Sequence, residues 1–263
     1  MNLNLHAKKV FISGSTQGIG FAIAQELLKE GAEVIINGRK QDKLNHAISD
    51  LKKSVTGAIV SGIVADFGNK TEVERLLQQL PQVDILINNV GVFELKEFEE
   101  ISDSDWNNII EINLMSGIKL SRQLLPYMLK KKWGRILFIS SESGVNIPGN
   151  MIHYGMTKSA MLAVANGLSK LTKGTQVTVN TILGGPTYSE GVAATVSHIA
   201  QENNLTIQQV KEMIVQETNP HSLLQRFIEP QEIAHLAAYL SSPLSVATNG
   251  ACLRAEGGVL RTV

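Results

Sequence analysis

Residues 10–31, VFISGSTQGIGFAIAQELLKEG, place a short apolar run, a glycine turn and an amphipathic pattern in immediate succession. We predict a strand at Val10–Ile12 and a helix from Phe21 that ends at Gly31. Between a strand and a helix, glycines let the backbone turn tightly and approach a dinucleotide pyrophosphate, which binds at the helix N-terminus. The spacing is GxxxGxG rather than GxGxxG, so a plain loop stays open as the alternative.

Strands alternating with helices continue along the chain. Further strands are predicted at Glu33–Asn37, Gly57–Val64, Val83–Ile87, Arg135–Ile139, Gln176–Leu183 and Ala251–Ala255. Further helices are predicted at Gln41–Leu51, Lys70–Leu80, Ser102–Leu114, Met115–Lys131, Tyr154 to about Lys173, and Glu229–Leu240. This alternation is typical of right-handed crossovers and a parallel sheet covered on both faces. We predict an α/β protein: one Rossmann domain over residues 1–263 with a doubly wound, parallel, seven-stranded sheet.

Residues 190–217 fall outside the alternation. Two helices are expected there, at Glu190–Gln201 and Thr206–Glu217. An insertion of this size beside a ligand cleft favours a lid or a substrate wall. A packing decoration or an oligomer contact is the alternative.

Composition excludes several classes of protein. Twenty-four basic residues balance twenty-four acidic ones, so no net field attracts nucleic acid or an anionic membrane. Cys252 is the single cysteine, which excludes an intramolecular disulfide and fits a reducing compartment. No signal peptide and no apolar run of about 18 residues is recognisable, and no metal site is predicted. We therefore expect a cytoplasmic protein.

Tyr154 and Lys158 stand four residues apart. On a helix this spacing means about 400° of rotation and roughly 6 Å of rise, so both groups share one face. An ammonium beside a phenol stabilises the phenolate, and such a pair can exchange a proton with an alcohol or a carbonyl oxygen. The fifth strand delivers Ser141 at its C-terminal end, where open α/β sheets bind ligands. An ordinary surface pair on a helix is the alternative.

Arg39 follows the second strand, and Asn37-Gly38 offers no carboxylate to a ribose hydroxyl. A guanidinium suits a 2′-phosphate, so NADP(H) is favoured, with NAD(H) as the other possibility. An arginine on the adenine face or on the surface is the alternative.

Taken together, these motifs resemble the short-chain dehydrogenase/reductase family over nearly the whole chain. Ser13-Gly14 through Gly20 is similar to its TGxxxGxG turn, and Asn88-Asn89-Val90-Gly91 to its NNAG signature. Asn113, Ser141, Tyr154 and Lys158 match its catalytic tetrad, and the serine-to-tyrosine interval, 154 − 141 = 13, is the common one. The general likeness is to 3-oxoacyl-carrier-protein reductases.

The resemblance implies a role for each matching residue. Tyr154 would exchange the proton, Lys158 would lower the tyrosine pKa and hold the nicotinamide ribose, and Ser141 would bind the substrate oxygen. Asn113 would anchor a water, while Asp66 and Asn88 would line the adenosine side. Thr187 is the expected contact near the carboxamide, although Gly184-Gly185-Pro186 departs from the usual Pro-Gly. The implied cofactor contacts are Gly14, Ser15, Thr16, Gln17, Gly18, Ile19, Gly20, Arg39, Asp66, Asn88, Tyr154, Lys158 and Thr187.

The expected function is NADP(H)-dependent hydride transfer between the nicotinamide and a ketone or secondary alcohol, free or carrier-bound. An NAD-dependent dehydrogenase of a sugar, polyol or hydroxysteroid-like alcohol is the second hypothesis. A non-catalytic dinucleotide sensor is the third, although binding alone needs no proton donor. Relatives are commonly tetramers or dimers, so a homotetramer or homodimer is expected.

Overall fold

The structure is a computed structural model that describes residues 2–261. Seven parallel strands form one sheet in the order β3-β2-β1-β4-β5-β6-β7. They are β1 (Lys9–Ile12), β2 (Glu33–Gly38), β3 (Ile59–Val64), β4 (Ile85–Asn88), β5 (Trp133–Ser141), β6 (Gln176–Gly184) and β7 (Cys252–Ala255). The predicted parallel, seven-stranded α/β fold is confirmed.

Nine α-helices occur in residues 2–261. They are α1 (Gly18–Lys29), α2 (Gln41–Ser54), α3 (Lys70–Gln79), α4 (Asp103–Ile109), α5 (Ser116–Lys131), α6 (Ile152–Lys170), α7 (Glu190–Asn203), α8 (Ile207–Thr218) and α9 (Pro230–Ser241). No helix in this described part of the chain is long and apolar enough to span a membrane.

Helices cover both faces of the sheet, and its central strands β1, β4, β5 and β6 are almost entirely buried. On one face α1, α2 and α9 pack through residues such as Leu27, Leu44 and Ala237. On the other face α3, α5 and α6 pack through residues such as Leu76, Leu120 and Met161. These are the two helical layers of a doubly wound fold.

The order of the strands fixes where a ligand can bind. β1 pairs with β2 on one side and with β4 on the other, so the chain leaves β1 and β4 in opposite directions. This is the switch point of the sheet, and a crevice opens there beyond the C-terminal ends of the strands. The glycine turn follows β1 and therefore lies at that crevice.

The helix pair predicted around Asn113 differs in one detail. Between α4 and α5 the chain makes a π-helix over Ile110–Met115. A π-helix holds an extra residue in its turn, and π-bulges are frequent at functional sites. Asn113 lies within this wide turn and is buried.

Helices α7 and α8 form the predicted insertion. They pack on each other through a separate small cluster that includes Val196, Ala200 and Val210. Ile207 and Met213 are 46% and 43% exposed, so only part of the apolar pattern there forms a core.

Candidate active site

The conformation of the glycine turn depends on two glycines with positive φ angles and on hydrogen bonds of the Asn37 side chain. Gly14 and Gly18 have φ angles of 61° and 59°, in the left-handed region where side chains are strained. The Asn37 side chain accepts a hydrogen bond from the Gly14 N–H at 3.0 Å. It also donates to the carbonyls of Ile63 and Ala65. A single buried amide thus joins the turn to β2 and β3.

A second amide joins the turn to the loop after β4. Asn89 Nδ2 donates to the carbonyl oxygens of Ser13, at 3.1 Å, and Gly14, at 2.8 Å. A Cβ on Gly20 would lie only 2.5 Å from this nitrogen, so the close approach requires glycine. The NNAG-like and glycine motifs are therefore one hydrogen-bonded unit.

A cavity of about 350 Å³ lies beside this unit. Six of the predicted cofactor residues line it: Gly14, Thr16, Gln17, Gly18, Arg39 and Asp66. A positive-φ glycine turn at a helix N-terminus, with space beside it, fits a dinucleotide pyrophosphate and its adenosine.

Other predicted cofactor residues lie outside that lining. Ser15 is buried, and its hydroxyl donates to the Ile12 carbonyl at 2.7 Å, so it closes the turn from behind. Ile19 and Gly20 lie in the first turn of α1. Asn88 points toward α5, where its Nδ2 donates to Ser121 Oγ at 3.4 Å. The neighbouring Asn89 lines the cavity instead, because successive residues at a strand end face opposite ways.

Lys40 and Lys43 also line the cavity, and neither was in the predicted set. With Arg39 they are three basic residues in its lining. The sequence gives only a weak signal for them: Lys40 directly precedes α2 and Lys43 lies in its first turn, where a lysine is unremarkable.

The predicted catalytic residues come together at the C-terminal end of β5. Ser141 ends β5, and α6 carries Tyr154 and Lys158 past it. The Ser140 hydroxyl donates to the Lys158 carbonyl at 2.9 Å. The Ser159 hydroxyl donates to the Gly144 carbonyl at 2.5 Å. The first bond joins the helix to the strand and the second joins it to the turn after the strand, so the backbone positions of the three residues are held relative to one another.

The ammonium of Lys158 is buried between strand and helix. Its Nζ donates to the Ile139 carbonyl at 3.0 Å and lies 5.5 Å from the centre of the Tyr154 ring. Burial lowers the Lys158 pKa to about 8, against the opposing negative charge of Glu142. Burial also raises the pKa of Tyr154, the Glu142 charge raises it further, and a hydrogen bond with Ser141 lowers it. The net shift is upward because burial dominates, contrary to the lowering that was expected from Lys158. The surface-pair alternative is thereby excluded, since Lys158 is only 5% exposed.

Asn113 joins the loop after β4 to α6. Its Nδ2 donates to the Val92 carbonyl at 2.9 Å and to Thr157 Oγ1 at 3.1 Å. Its Oδ1 accepts from the Val92 N–H at 2.8 Å. A Cβ on Gly91 would lie 3.4 Å from Lys158 Nζ and 3.7 Å from Asn113 Oδ1, so the two side chains border the same small space.

Thr187 lies in the loop after β6, apart from the lining of the 350 Å³ cavity. Its hydroxyl donates to the Gly185 carbonyl at 2.8 Å. The Gly185 backbone is pressed against Glu256, because a Cβ there would lie 2.6 Å from the Glu256 carbonyl oxygen. The unusual Gly184-Gly185-Pro186 sequence thus serves a close backbone contact.

Comparison with known proteins agrees with this geometry. A family model for the short chain dehydrogenases matches residues 8–200. The Bacillus subtilis protein called Uncharacterized oxidoreductase YvaG is 44% identical over 263 residues, with 100% of both chains covered. The 3-oxoacyl-acyl-carrier-protein reductase FabG of Aquifex aeolicus is 27% identical, covering 98% of this chain and 100% of the relative.

Among solved structures, L-sorbose reductase from Gluconobacter frateurii, complexed with NADPH and L-sorbose, superposes with a TM-score of 0.91. It is 26% identical and both chains are covered to 100%. The chain therefore belongs to the short-chain dehydrogenase family and is an NAD(P)-dependent oxidoreductase.

Proposed function

We propose that this protein is an NADP(H)-dependent oxidoreductase that interconverts a ketone and a secondary alcohol, with Tyr154 as general acid and base. The observation that carries the proposal is that the buried Ser141 and Lys158 lie together with the half-buried Tyr154 at one strand end. A phenol, a hydroxyl and an ammonium at the ligand edge of the sheet can bind and protonate a carbonyl oxygen.

The proposed chemistry follows from the positions of these groups. In reduction Tyr154 gives its phenolic proton to the substrate oxygen, and Ser141 hydrogen-bonds the same oxygen. Bound reduced cofactor supplies the hydride. Lys158 then favours the phenolate that remains, because an ammonium nearby stabilises negative charge. Asn113, which borders the same space as Lys158, is proposed to hold water that returns the proton.

Cofactor choice is inferred from charge. Arg39, Lys40 and Lys43 line the cavity, and none of residues 37–39 is acidic. Hydrogen bonds to charged groups contribute about 1.5–3 kcal/mol net, which corresponds to a roughly ten- to hundredfold preference for the phosphorylated cofactor. NADPH in the L-sorbose reductase structure supports this choice.

The test of cofactor choice compares kcat/KM for NADPH and NADH in the parent, Arg39→Ala and Arg75→Ala. Arg75 is an exposed arginine on α3 outside the cavity, so it serves as the matched control. Arg39→Ala should lower the NADPH/NADH ratio by about tenfold, and Arg75→Ala should leave it unchanged. Equal use of both cofactors by the parent contradicts the assignment.

The substrate class is tested by following NADPH oxidation with neutral aliphatic ketones, 3-oxoacyl thioesters and ketoses. Sugars and polyols are the second candidate class, supported by the structural match to a reductase of L-sorbose. Tight cofactor binding without consumption of any of these substrates favours the dinucleotide sensor instead. We also infer a homotetramer or homodimer, which light scattering measures directly.

A further inference from the structure

Glu142 follows Ser141 directly and has no part in the chemistry described so far. It opens a short 3-10 turn, Glu142–Gly144, between β5 and α6. Ser141 Oγ donates to Glu142 Oε2 at 2.5 Å, and Ser143 Oγ donates to Glu142 Oε1 at 3.1 Å. The Ser143 N–H in turn donates to Ser141 Oγ at 3.1 Å. The Ser141 hydroxyl therefore has two hydrogen-bond partners, the Glu142 carboxylate and the backbone N–H of Ser143.

We propose that Glu142 is a positioning residue for the carbonyl chemistry: it holds the Ser141 hydroxyl, and its charge sets the pH range in which Tyr154 can donate its proton. The inference rests on the proposed function and deepens it, because it names what controls the proton of that site.

The first step concerns the single hydrogen of Ser141. A serine hydroxyl donates one hydrogen bond, so a hydrogen given to an ionised Glu142 is withheld from the substrate oxygen. A protonated Glu142 can donate to Ser141 Oγ and leave the serine hydrogen free for the substrate. Glu142 thus decides in which direction the Ser141 hydrogen points.

The second step concerns charge. Burial raises the pKa of Glu142, while hydrogen bonds from Ser141 and Ser143 oppose that shift. When ionised, the carboxylate makes it harder for Tyr154 to lose its proton and for Lys158 to lose its own. These are the titratable groups on α6 whose charges act at this turn. The other strand packed on the turn, β6, carries no titratable residue.

The kinetic test is the pH profile of kcat/KM for ketone reduction in the parent, Glu142→Gln and Glu94→Gln. Reduction needs the phenol, so its rate falls at alkaline pH as Tyr154 ionises in the cofactor complex. Removing the neighbouring charge should move that fall to lower pH by about one unit. Glu94→Gln removes an exposed carboxylate outside the Ser141 network and should leave the profile in place. A Glu142→Gln profile that coincides with the parent profile overturns the proposal.

The Glu142→Asp variant separates the hydrogen bond to Ser141 from the effect of the carboxylate charge on Tyr154. It keeps the carboxylate charge, so the alkaline fall should stay at the parent pH. On the plateau at lower pH the protonated, shorter aspartate no longer reaches Ser141 Oγ to orient its hydrogen toward the substrate, so the plateau rate should drop by about tenfold. If Glu142→Gln does not fold, this variant decides, and a plateau equal to that of the parent overturns the proposal.

A readout without turnover separates this inference from the proposed function. Phenolate absorbance in the near ultraviolet, taken as the difference from the same protein carrying Tyr154→Phe and saturated with oxidised cofactor, reports Tyr154 ionisation alone. It should begin at lower pH in Glu142→Gln than in the parent. If that shift is seen but no ketone is consumed, the carbonyl function fails while the charge effect stands. If ketones are consumed but Tyr154 ionises at the same pH in Glu142→Gln as in the parent, the proposed role of Glu142 is wrong while the carbonyl function stands.

Discussion

The end of β5 and the α7–α8 insertion form two very different parts of the molecule. β5 and β6 pair over nine positions, from Trp133 opposite Gln176 to Ser141 opposite Gly184, inside a sheet covered on both faces. Helices α7 and α8 bury few apolar residues, mainly against each other. Their link to the cofactor region is local: a Cβ on Gly18 would lie 3.5 Å from Ser189 Cβ, just before α7.

The difference indicates that the two regions have different functions, proton exchange at the end of β5 and closure over a ligand in the α7–α8 insertion. Groups that exchange protons must be held to a fraction of an ångström, and a central strand end with a fastened helix provides that. Elements that close over a ligand must open at low free-energy cost, and a small, separate cluster permits it. We infer that residues 190–217 act as a lid, and four predictions test the contrast.

The largest effect is expected at Tyr154. Tyr154→Phe removes the proton donor and keeps the ring, so turnover should fall by roughly 10²–10⁴-fold with cofactor affinity nearly unchanged. Tyr188→Phe is the matched control, because Tyr188 lies at the start of the insertion and packs on Phe227. Steady-state kinetics and cofactor titration measure both. A comparable loss in Tyr188→Phe would remove the distinction between the two regions.

The second prediction concerns the free energy of holding Lys158 in place. Its folded pKa of about 8 lies below the ordinary value of about 10.4, so between these values the unfolded chain binds the extra proton and stability rises with pH. Lys158→Met should stabilise the cofactor-free protein at pH 7 by about 2 kcal/mol, with the advantage shrinking toward pH 10. Denaturant unfolding at both pH values measures it. Lys170→Met, at an exposed site on the same helix, should show no such dependence.

A matched pair of valines compares the two cores directly. Val179 in β6 and Val196 in α7 are both 0% exposed. Val179→Ala should lower the free energy of global unfolding by about 2 kcal/mol. Val196→Ala should lower it by less, because the insertion can open before the sheet unfolds. Equal losses in denaturant unfolding indicate one cooperative unit and count against the lid.

Hydrogen exchange gives the smallest but most local effect. Without ligand, amides of α7 and α8 should be among the least protected helical amides, and they should gain protection when cofactor and substrate bind. Mass spectrometry of proteolytic fragments measures this, with α6 as the internal reference. Full protection of 190–217 in the free protein favours a packing or interface role.

The sequence was sufficient for the sheet because buried parallel strands appear as continuous apolar runs, as at Ile85–Asn88. The four candidate catalytic residues were predicted from their match to a family pattern. Three other features have weak signals. Strand alternation predicts that Asn88 and Asn89 face opposite ways, but it does not say which of the two faces the cavity. An exposed lysine such as Lys43 is ordinary on a helix. A carboxylate in a turn, like Glu142, becomes informative only once its distance to Ser141 is known.

The π-turn at Ile110–Met115 bears on which changes in chain length the protein tolerates. Each residue of an α-helix advances it by about 100°, so deleting one residue from this turn would restore α-helical winding and rotate one flanking helix by about that angle. The buried face of α5, with Leu120 and Leu124, would then leave the sheet, or Asn113 would leave the site. Surface loops elsewhere tolerate insertions and deletions, whereas the length of this turn is fixed by the packing of α5 on one side and by the position of Asn113 on the other. In homologous chains we expect substitutions here without gaps.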